Sequence, residues 1–111
     1  YNANPTSMKA ALDNFALIAS PRKLAILGEM RELGEVSAEE HRRVVEQASA
    51  IPDTELWLVG ENFRPFVPKN ARWFADVEAV KQTLQGDCPS DALILVKGSN
   101  GTRLFQLPEF L

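Results

Sequence analysis

One cysteine, Cys88, stands in 111 residues. It has no partner for an internal disulfide and no cluster of histidines or acids beside it for a metal site, so neither a disulfide framework nor a zinc module holds this chain together. That cysteine usage suits a reducing compartment. Histidine is equally scarce: His41 is the only one, and neither a Gly-x-Ser-x-Gly elbow nor another recognisable nucleophile motif accompanies it. Gly-Lys-Ser/Thr of a phosphate loop does not occur, and there is no Gly-x-Gly-x-x-Gly dinucleotide fingerprint. Apolar runs fall far short of the roughly 18 residues of a membrane span, and no charged segment followed by an apolar stretch opens the chain. With a net charge of −3, the whole chain carries no cationic excess for nucleic acid. Internal repeats and low-complexity segments are missing as well. A self-sufficient catalytic set is therefore not visible, and the chain is expected to bind part of a substrate whose chemistry is completed elsewhere.

What is present is a core. Hydrophobic residues make up 45% and charged residues 24%, ordinary for one globular domain of this length. Three apolar runs each end at a glycine: Leu24–Leu27 before Gly28, Leu56–Val59 before Gly60, and Leu93–Val96 before Lys97-Gly98. Four consecutive apolar residues suit a strand covered on both faces, and Leu93–Val96 is expected in the middle of a parallel sheet. The Lys97-Gly98-Ser99-Asn100-Gly101 stretch after it can turn sharply and admit a ligand close to the backbone. Ser99 and Asn100 offer hydrogen bonds, and Lys97 offers a point charge for a carboxylate or phosphate. An exposed turn with a solvated lysine is the plainer alternative.

Between the runs lie helical patterns. Pro5 suits a first helical turn, and Met8, Ala11, Leu12, Phe15, Ala16 and Ala19 share one face until Ser20-Pro21 ends it. Ser37-x-x-Glu40 reads as a capping box opening a helix to about Ala50, with Val44, Val45 and Ala48 inward and His41 on its surface. Pro65 and Pro68 make 61–70 mostly loop. Ala71–Ala75 is a third strand. Asp76 caps a helix with Val77, Val80 and Leu84 inward and Gly86 at its end. Thr102–Phe105 begins a last helix limited by Pro108. Alternating helices and strands imply right-handed crossovers and a parallel sheet. The expected fold class is α/β: a Rossmann-like three-layer domain, its mostly parallel sheet flanked by helices. A helix beginning at Pro5 normally follows a strand, so the sheet is expected to be one strand short or its edge covered in another way.

Parallel strands put Gly28, Gly60 and Gly98 at one end, where open α/β sheets bind ligands. Glu29 and Glu32 follow the first strand on that side and can meet an ammonium group, although solvated carboxylates are commoner there. Asn2 and Asn4 suit either a base or sugar contact or the capping of the first helix. Trp57, Trp73 and Phe74 are most simply core or sheet-face residues, and Arg64, Lys69 and Arg72 solvated ones.

Tyr1-Asn2-Ala3-Asn4-Pro5-Thr6-Ser7-Met8 and Val96-Lys97-Gly98-Ser99-Asn100-Gly101-Thr102-Arg103-Leu104 resemble the C-terminal domain of the Mur ligases. Within that family they resemble the branch whose acceptor is D-alanyl-D-alanine. Ala25-Ile26-Leu27-Gly28-Glu29-Met30-Arg31-Glu32-Leu33-Gly34 and Glu40-His41-Arg42-Arg43-Val44 are similar to two further blocks, in family order. The resemblance covers nearly the whole chain, and Tyr-Asn-Ala-Asn-Pro is specific to this branch. Glu29 stands where Asp is expected and Val45 where Gly is common, and Phe105-Gln106-Leu107-Pro108 interrupts a usually longer last helix.

The resemblance implies that residues 1–111 are the single C-terminal, acceptor-binding domain of a three-domain enzyme. The start at Tyr1 without methionine agrees with a fragment. An N-terminal domain would hold the UDP end of UDP-N-acetylmuramoyl-tripeptide, and a central ATPase domain would hold ATP and Mg2+. The parent would be an ATP-dependent peptide-bond-forming ligase of peptidoglycan synthesis in the bacterial cytoplasm, with the isolated chain inactive. It implies no catalytic residue and no metal ligand in this domain alone. Asn2 and Asn4 would touch the adenine or ribose of ATP. Lys97, Gly98, Ser99, Asn100 and Gly101 would face D-alanyl-D-alanine, with Arg103 assisting Lys97 at its carboxylate and Glu29 or Glu32 at its ammonium group. The partners implied are the parent's own N-terminal and central domains, with no nucleic acid and no membrane span. Two competing expectations are a sister ligase that adds a single amino acid and a stand-alone α/β binding module.

Overall fold

The computed structural model describes residues 4–86, 92–98 and 104. Helix α1 (Pro5–Leu17) is followed by β1 (Lys23–Gly28), α2 (Ser37–Ser49), β2 (Thr54–Val59), β3 (Arg72–Phe74), α3 (Val77–Gly86) and β4 (Leu93–Lys97). Short 3₁₀ segments occupy Gly34–Val36 and Glu61–Phe66. All strand pairs are parallel, in the order β3-β2-β1-β4. The expected α/β class, with a parallel sheet between helical layers, is what the chain forms.

Side chains of a strand alternate between the two faces of its sheet, and the core divides accordingly. Ala25, Leu27, Leu56 and Leu58 pack with Met8, Leu12 and Phe15 of α1 and Val44, Val45 and Ala48 of α2. Leu24, Ile26, Trp57 and Val59 face the other way, onto Phe74, Val77, Val80, Leu84 and Leu104. All six residues of β1 are buried, which is why its sequence reads as an uninterrupted apolar run. β4 departs from expectation. It lies at the edge of the described sheet with β1 as its neighbour, and its five residues are half-buried rather than central. Its apolar run reflects cover on both faces, not a strand on both sides.

Local chemistry explains most boundaries. Asn4 caps α1 through a reciprocal box: Ser7 N–H donates to Asn4 Oδ1 (2.8 Å) and Asn4 N–H to Ser7 Oγ (3.1 Å). Of the expected apolar face, Met8, Leu12 and Phe15 are buried; Ala11 is half-buried, Ala16 is exposed, and Ala19 lies beyond the helix end at Leu17. Asp76 Oδ1 accepts from Ala79 N–H (3.0 Å), as its position before α3 predicts. The capping box expected at Ser37 does not form. The 3₁₀ turn Gly34–Val36 runs straight into α2, so Ser37 already has helical angles and the N-cap is Val36, with no side-chain cap. The 61–70 region is also more regular than expected, since Glu61–Phe66 winds as a 3₁₀ helix that includes Pro65.

Lys23 is buried at the start of β1, only 5% exposed. Its Nζ donates to the Phe15 carbonyl (2.6 Å) and lies 4.8 Å from the Phe15 ring centroid. The last turn of α1 is thus fixed to the beginning of β1, and α1 runs back antiparallel to the strands. Its first turn, at Asn4, therefore points toward the carboxyl ends of the strands. The expected last helix and the Asn2, Ser99, Asn100, Gly101 and Arg103 positions lie outside the described residues, apart from buried Leu104.

Candidate functional site at the strand ends

The register brings the three strand ends together. Gly28 pairs with Val59 and Leu27 with Lys97, so β2 and β4 flank the end of β1 on its two sides. Parallel neighbours lie about 4.8 Å apart, so half-buried Lys97 stands beside Leu27 and Gly98 follows it at the level of Gly28. The convergence expected of Gly28, Gly60 and Gly98 is present.

Gly60 is the knot of this end. Its N–H donates to the Phe74 carbonyl (2.9 Å), and its own carbonyl accepts from Phe63 N–H (3.2 Å) and from Trp73 Nε1–H (2.8 Å). It adopts φ 113° and ψ 154°, a region open essentially to glycine alone. A side chain there is also blocked. A Cβ would lie 2.5 Å from Glu29 Cδ and 2.7 Å from Glu29 Cγ.

Glu29 uses that space. Its backbone N–H continues the ladder to the Val59 carbonyl (2.9 Å). Its side chain is only 13% exposed, with Oε1 accepting from Asn62 N–H (3.2 Å) and Oε2 from Arg31 Nη2 (3.2 Å). Rather than a solvated carboxylate, Glu29 is a clasp between the β1 loop and the 3₁₀ segment after β2. Glu32, three residues on, is exposed and holds φ 64°, the left-handed region uncommon for a residue with a side chain. Glu29, Arg31, Glu32, Ser37 and Asn62 line an open depression of about 320 Å³ with Met30, Leu33 and Gly34. Two carboxylates and a guanidinium on one rim suit a small polar ligand carrying both charges.

His41, expected on the helix surface, is fully buried. Met30 N–H donates to its Nε2 (2.9 Å), and its Nδ1 lies 2.7 Å from the Ser37 carbonyl and 3.2 Å from Ser37 Oγ. The Phe63 ring meets it edge-on, with centroids 4.8 Å apart and planes at 80°. A signal for this existed in the sequence. His41 stands three, four and seven residues before Val44, Val45 and Ala48, on the apolar face of α2. The clasp between Glu29, Gly60 and Asn62 had no such signal, because its partners are some thirty residues apart.

Asn4 takes the capping role described above. Trp57 and Phe74 are core residues, as expected. Trp73 is half-buried and bonded to Gly60. Arg64 and Arg72 are exposed but stacked: Arg64 lies 5.1 Å from the Trp73 ring centroid, and Arg72 lies 5.1 and 5.4 Å from Trp57 and Phe74. Among the described residues no group of three or more His, Cys, Asp or Glu converges as a metal site. No described helix is long and apolar enough to cross a membrane.

Comparison with known proteins gives this geometry a context. Residues 1–100 match the family model described as "Mur ligase, glutamate ligase domain". The chain is 36% identical over 119 aligned positions to the UDP-N-acetylmuramoyl-tripeptide–D-alanyl-D-alanine ligase of Treponema pallidum, covering 100% of the chain and 26% of that protein. It is 32% identical to the ligase of the same name from Rickettsia prowazekii, covering 99% of the chain and 26% of the relative. The chain thus spans about a quarter of the length of these relatives. Among solved structures, MurF from Acinetobacter baumannii superposes with a TM-score of 0.77 at 28% identity, covering 98% of this chain and 25% of that one. Thermotoga maritima MurF ligase, crystallised in complex with ADP, shares the fold with a TM-score of 0.79 at 22% identity, over 99% of this chain and 26% of that one.

Proposed function

We propose a function from the premise that this chain belongs to the Mur ligase family, by its glutamate ligase domain: it is the acceptor-binding C-terminal domain of an ATP-dependent ligase. That ligase joins D-alanyl-D-alanine to UDP-N-acetylmuramoyl-tripeptide in bacterial peptidoglycan synthesis, in the cytoplasm where ATP is available. The observation that carries this reading is the depression at the strand ends, where Glu29, Arg31 and Glu32 bring charges of both signs together, with Lys97 closing the neighbouring strand β4. D-alanyl-D-alanine is a zwitterion and needs both. The similarity to two relatives named for this reaction supports the same substrate class.

In this proposal the missing domains transfer the γ-phosphoryl group of ATP to the tripeptide carboxylate, giving an acyl phosphate and ADP. The dipeptide ammonium first loses a proton to solvent, the free amine attacks the acyl carbon, and the tetrahedral intermediate loses a second proton from nitrogen and expels phosphate. This chain's part is positioning, which converts a bimolecular encounter into an oriented one. Lys97, with Gly98, Ser99, Asn100, Gly101 and Arg103, receives the dipeptide carboxylate. Glu32 meets the ammonium group, with Glu29 weaker in that role because Asn62 and Arg31 already engage its oxygens. Closure of the domain excludes water from the acyl phosphate. α1 directs Asn4 toward the strand-end side, where an adenine or ribose would be met across the domain interface, and Asn2 is assigned to the same contact by the family motif alone. Asn4 Oδ1 is committed to the cap, so its side-chain amide is the group left for that contact. Mg2+ belongs to the central domain, and no step through it is assigned to these residues.

The test is phosphate release by the intact parent enzyme with ATP, Mg2+ and the UDP-linked tripeptide. The acceptor is varied among D-alanyl-D-alanine, D-alanine and a diamino acid, and the series is repeated with Lys97→Ala. Release that requires the dipeptide and falls sharply in the variant is expected. Preference for a single amino acid would move the parent to a sister ligase. Dipeptide preference with an unaffected variant would remove Lys97 from the site.

A further inference from the structure

Resting on that function, we infer that His41 is a positioning residue of the acceptor crevice. Its buried imidazole, held as the Nδ1–H tautomer, pins the 29–34 loop to α2 and so fixes where Arg31 and Glu32 stand. The tautomer follows from the partners. Met30 N–H can only donate, so Nε2 must carry the lone pair, and the ring proton sits on Nδ1, donating to the Ser37 carbonyl.

Three observations make this more than the filling of space. Met30 N–H is the first amide beyond the β1 ladder, since Glu29 N–H still bonds Val59. The imidazole therefore takes over where the sheet stops guiding the chain. The ring is also braced by Phe63, while the neighbouring Asn62 N–H holds the Glu29 carboxylate. One 3₁₀ segment thus steadies both anchors of the loop. Finally, the loop holds Glu32, a residue with a side chain, in the left-handed region at φ 64°, with Gly34 at φ 58° two positions on. An uncommon backbone shape persists only where its surroundings over-determine it. His41 touches no proposed ligand position; it acts through Met30 on the residues that do.

The experiment uses the full-length ligase with His41→Phe and His41→Gln. Phe keeps a ring against Phe63 but accepts nothing; Gln offers an amide oxygen near the position of Nε2. The expected result for Phe is a KM for D-alanyl-D-alanine raised about tenfold or more, with KM for ATP and for the UDP-linked tripeptide within about twofold. Gln should recover most of the loss. A folded Phe variant with an unchanged acceptor KM, or with all three KM values raised alike, overturns the inference. If Phe does not fold, His41→Asn replaces it, because its shorter amide does not reach Met30 N–H; equal acceptor KM for Asn and Gln then overturns it. A second readout needs no substrate. Long-range ¹H–¹⁵N correlation on the histidine-labelled enzyme should show Nδ1 protonated and Nε2 not, and the opposite tautomer overturns the inference whatever the kinetics. An enzyme preferring a single amino acid would overturn the function proposed above instead, and the KM comparison would then be read on that acceptor.

Discussion

Gly60→Ala tests the geometry of the strand-end crevice most directly. The residue sits at φ 113°, ψ 154°, where a residue with a side chain costs about 1–3 kcal/mol. The new methyl carbon would lie 2.5 Å from Glu29 Cδ and 2.9 Å from Glu29 Oε1. A glutamate side chain is flexible, so it would swing away rather than hold the overlap. What is lost is then its bond to Asn62 N–H, about 1 kcal/mol for a rim hydrogen bond. The expected destabilisation is therefore about 2–4 kcal/mol, a urea midpoint lowered by about 1–2 M at the slope usual for small domains. The assay is urea unfolding of wild type, Gly60→Ala, Glu29→Ala and the double variant. In the Glu29→Ala background the overlap is gone, so Gly60→Ala should cost only the backbone part, giving a coupling of about 1 kcal/mol. Destabilisation below about 0.5 kcal/mol, or full additivity of the two changes, would refute the clasp between Glu29 and Gly60.

Asn4→Ala should destabilise by about 1 kcal/mol through loss of the cap, with faster amide hydrogen exchange confined to the first turn of α1; unchanged exchange there would contradict the Ser7 box. Lys23→Met should leave stability within about 1 kcal/mol of wild type by denaturant titration, because the apolar stem supplies much of the packing, whereas Lys23→Ala should cost about 2–3 kcal/mol. Equal losses would mean that the bond to the Phe15 carbonyl, not the stem, holds the helix end. Arg42→Ala removes contacts to Glu39 and Glu46 on the exposed face of α2 and should change the thermal midpoint little, since such pairs contribute about 0–1 kcal/mol.

The sequence by itself determined the elements and their inward faces. Leu24–Leu27, Leu56–Val59 and Leu93–Val96 read as strands because runs of that length, each closed by a glycine or Lys-Gly, suit a sheet covered on both sides. Val44, Val45 and Ala48 read as a helix face because 3.6 residues make a turn. Asp76 was legible because a cap acts within three residues. Ser37 shows the limit of such local signals: its capping pattern was overridden when a 3₁₀ turn supplied the helix start and left Ser37 inside the helix, its carbonyl bonded by His41 Nδ1.

Only the tertiary structure decided what depends on distant partners. Burial on both faces makes an edge strand and a central one read alike, so the place of β4 had to come from strand pairing. Glu29 looked like an open carboxylate until the 3₁₀ segment after β2 brought Asn62 and the bare Cα of Gly60 against it. His41 looked like a surface residue because it is polar, although its spacing already placed it inward. Its partner is the amide of Met30, eleven residues back, and a backbone amide has no letter in the sequence. Side-chain pattern is local and periodic, so it can be read along the chain; hydrogen bonding between backbone and distant side chains exists only once the chain has closed on itself.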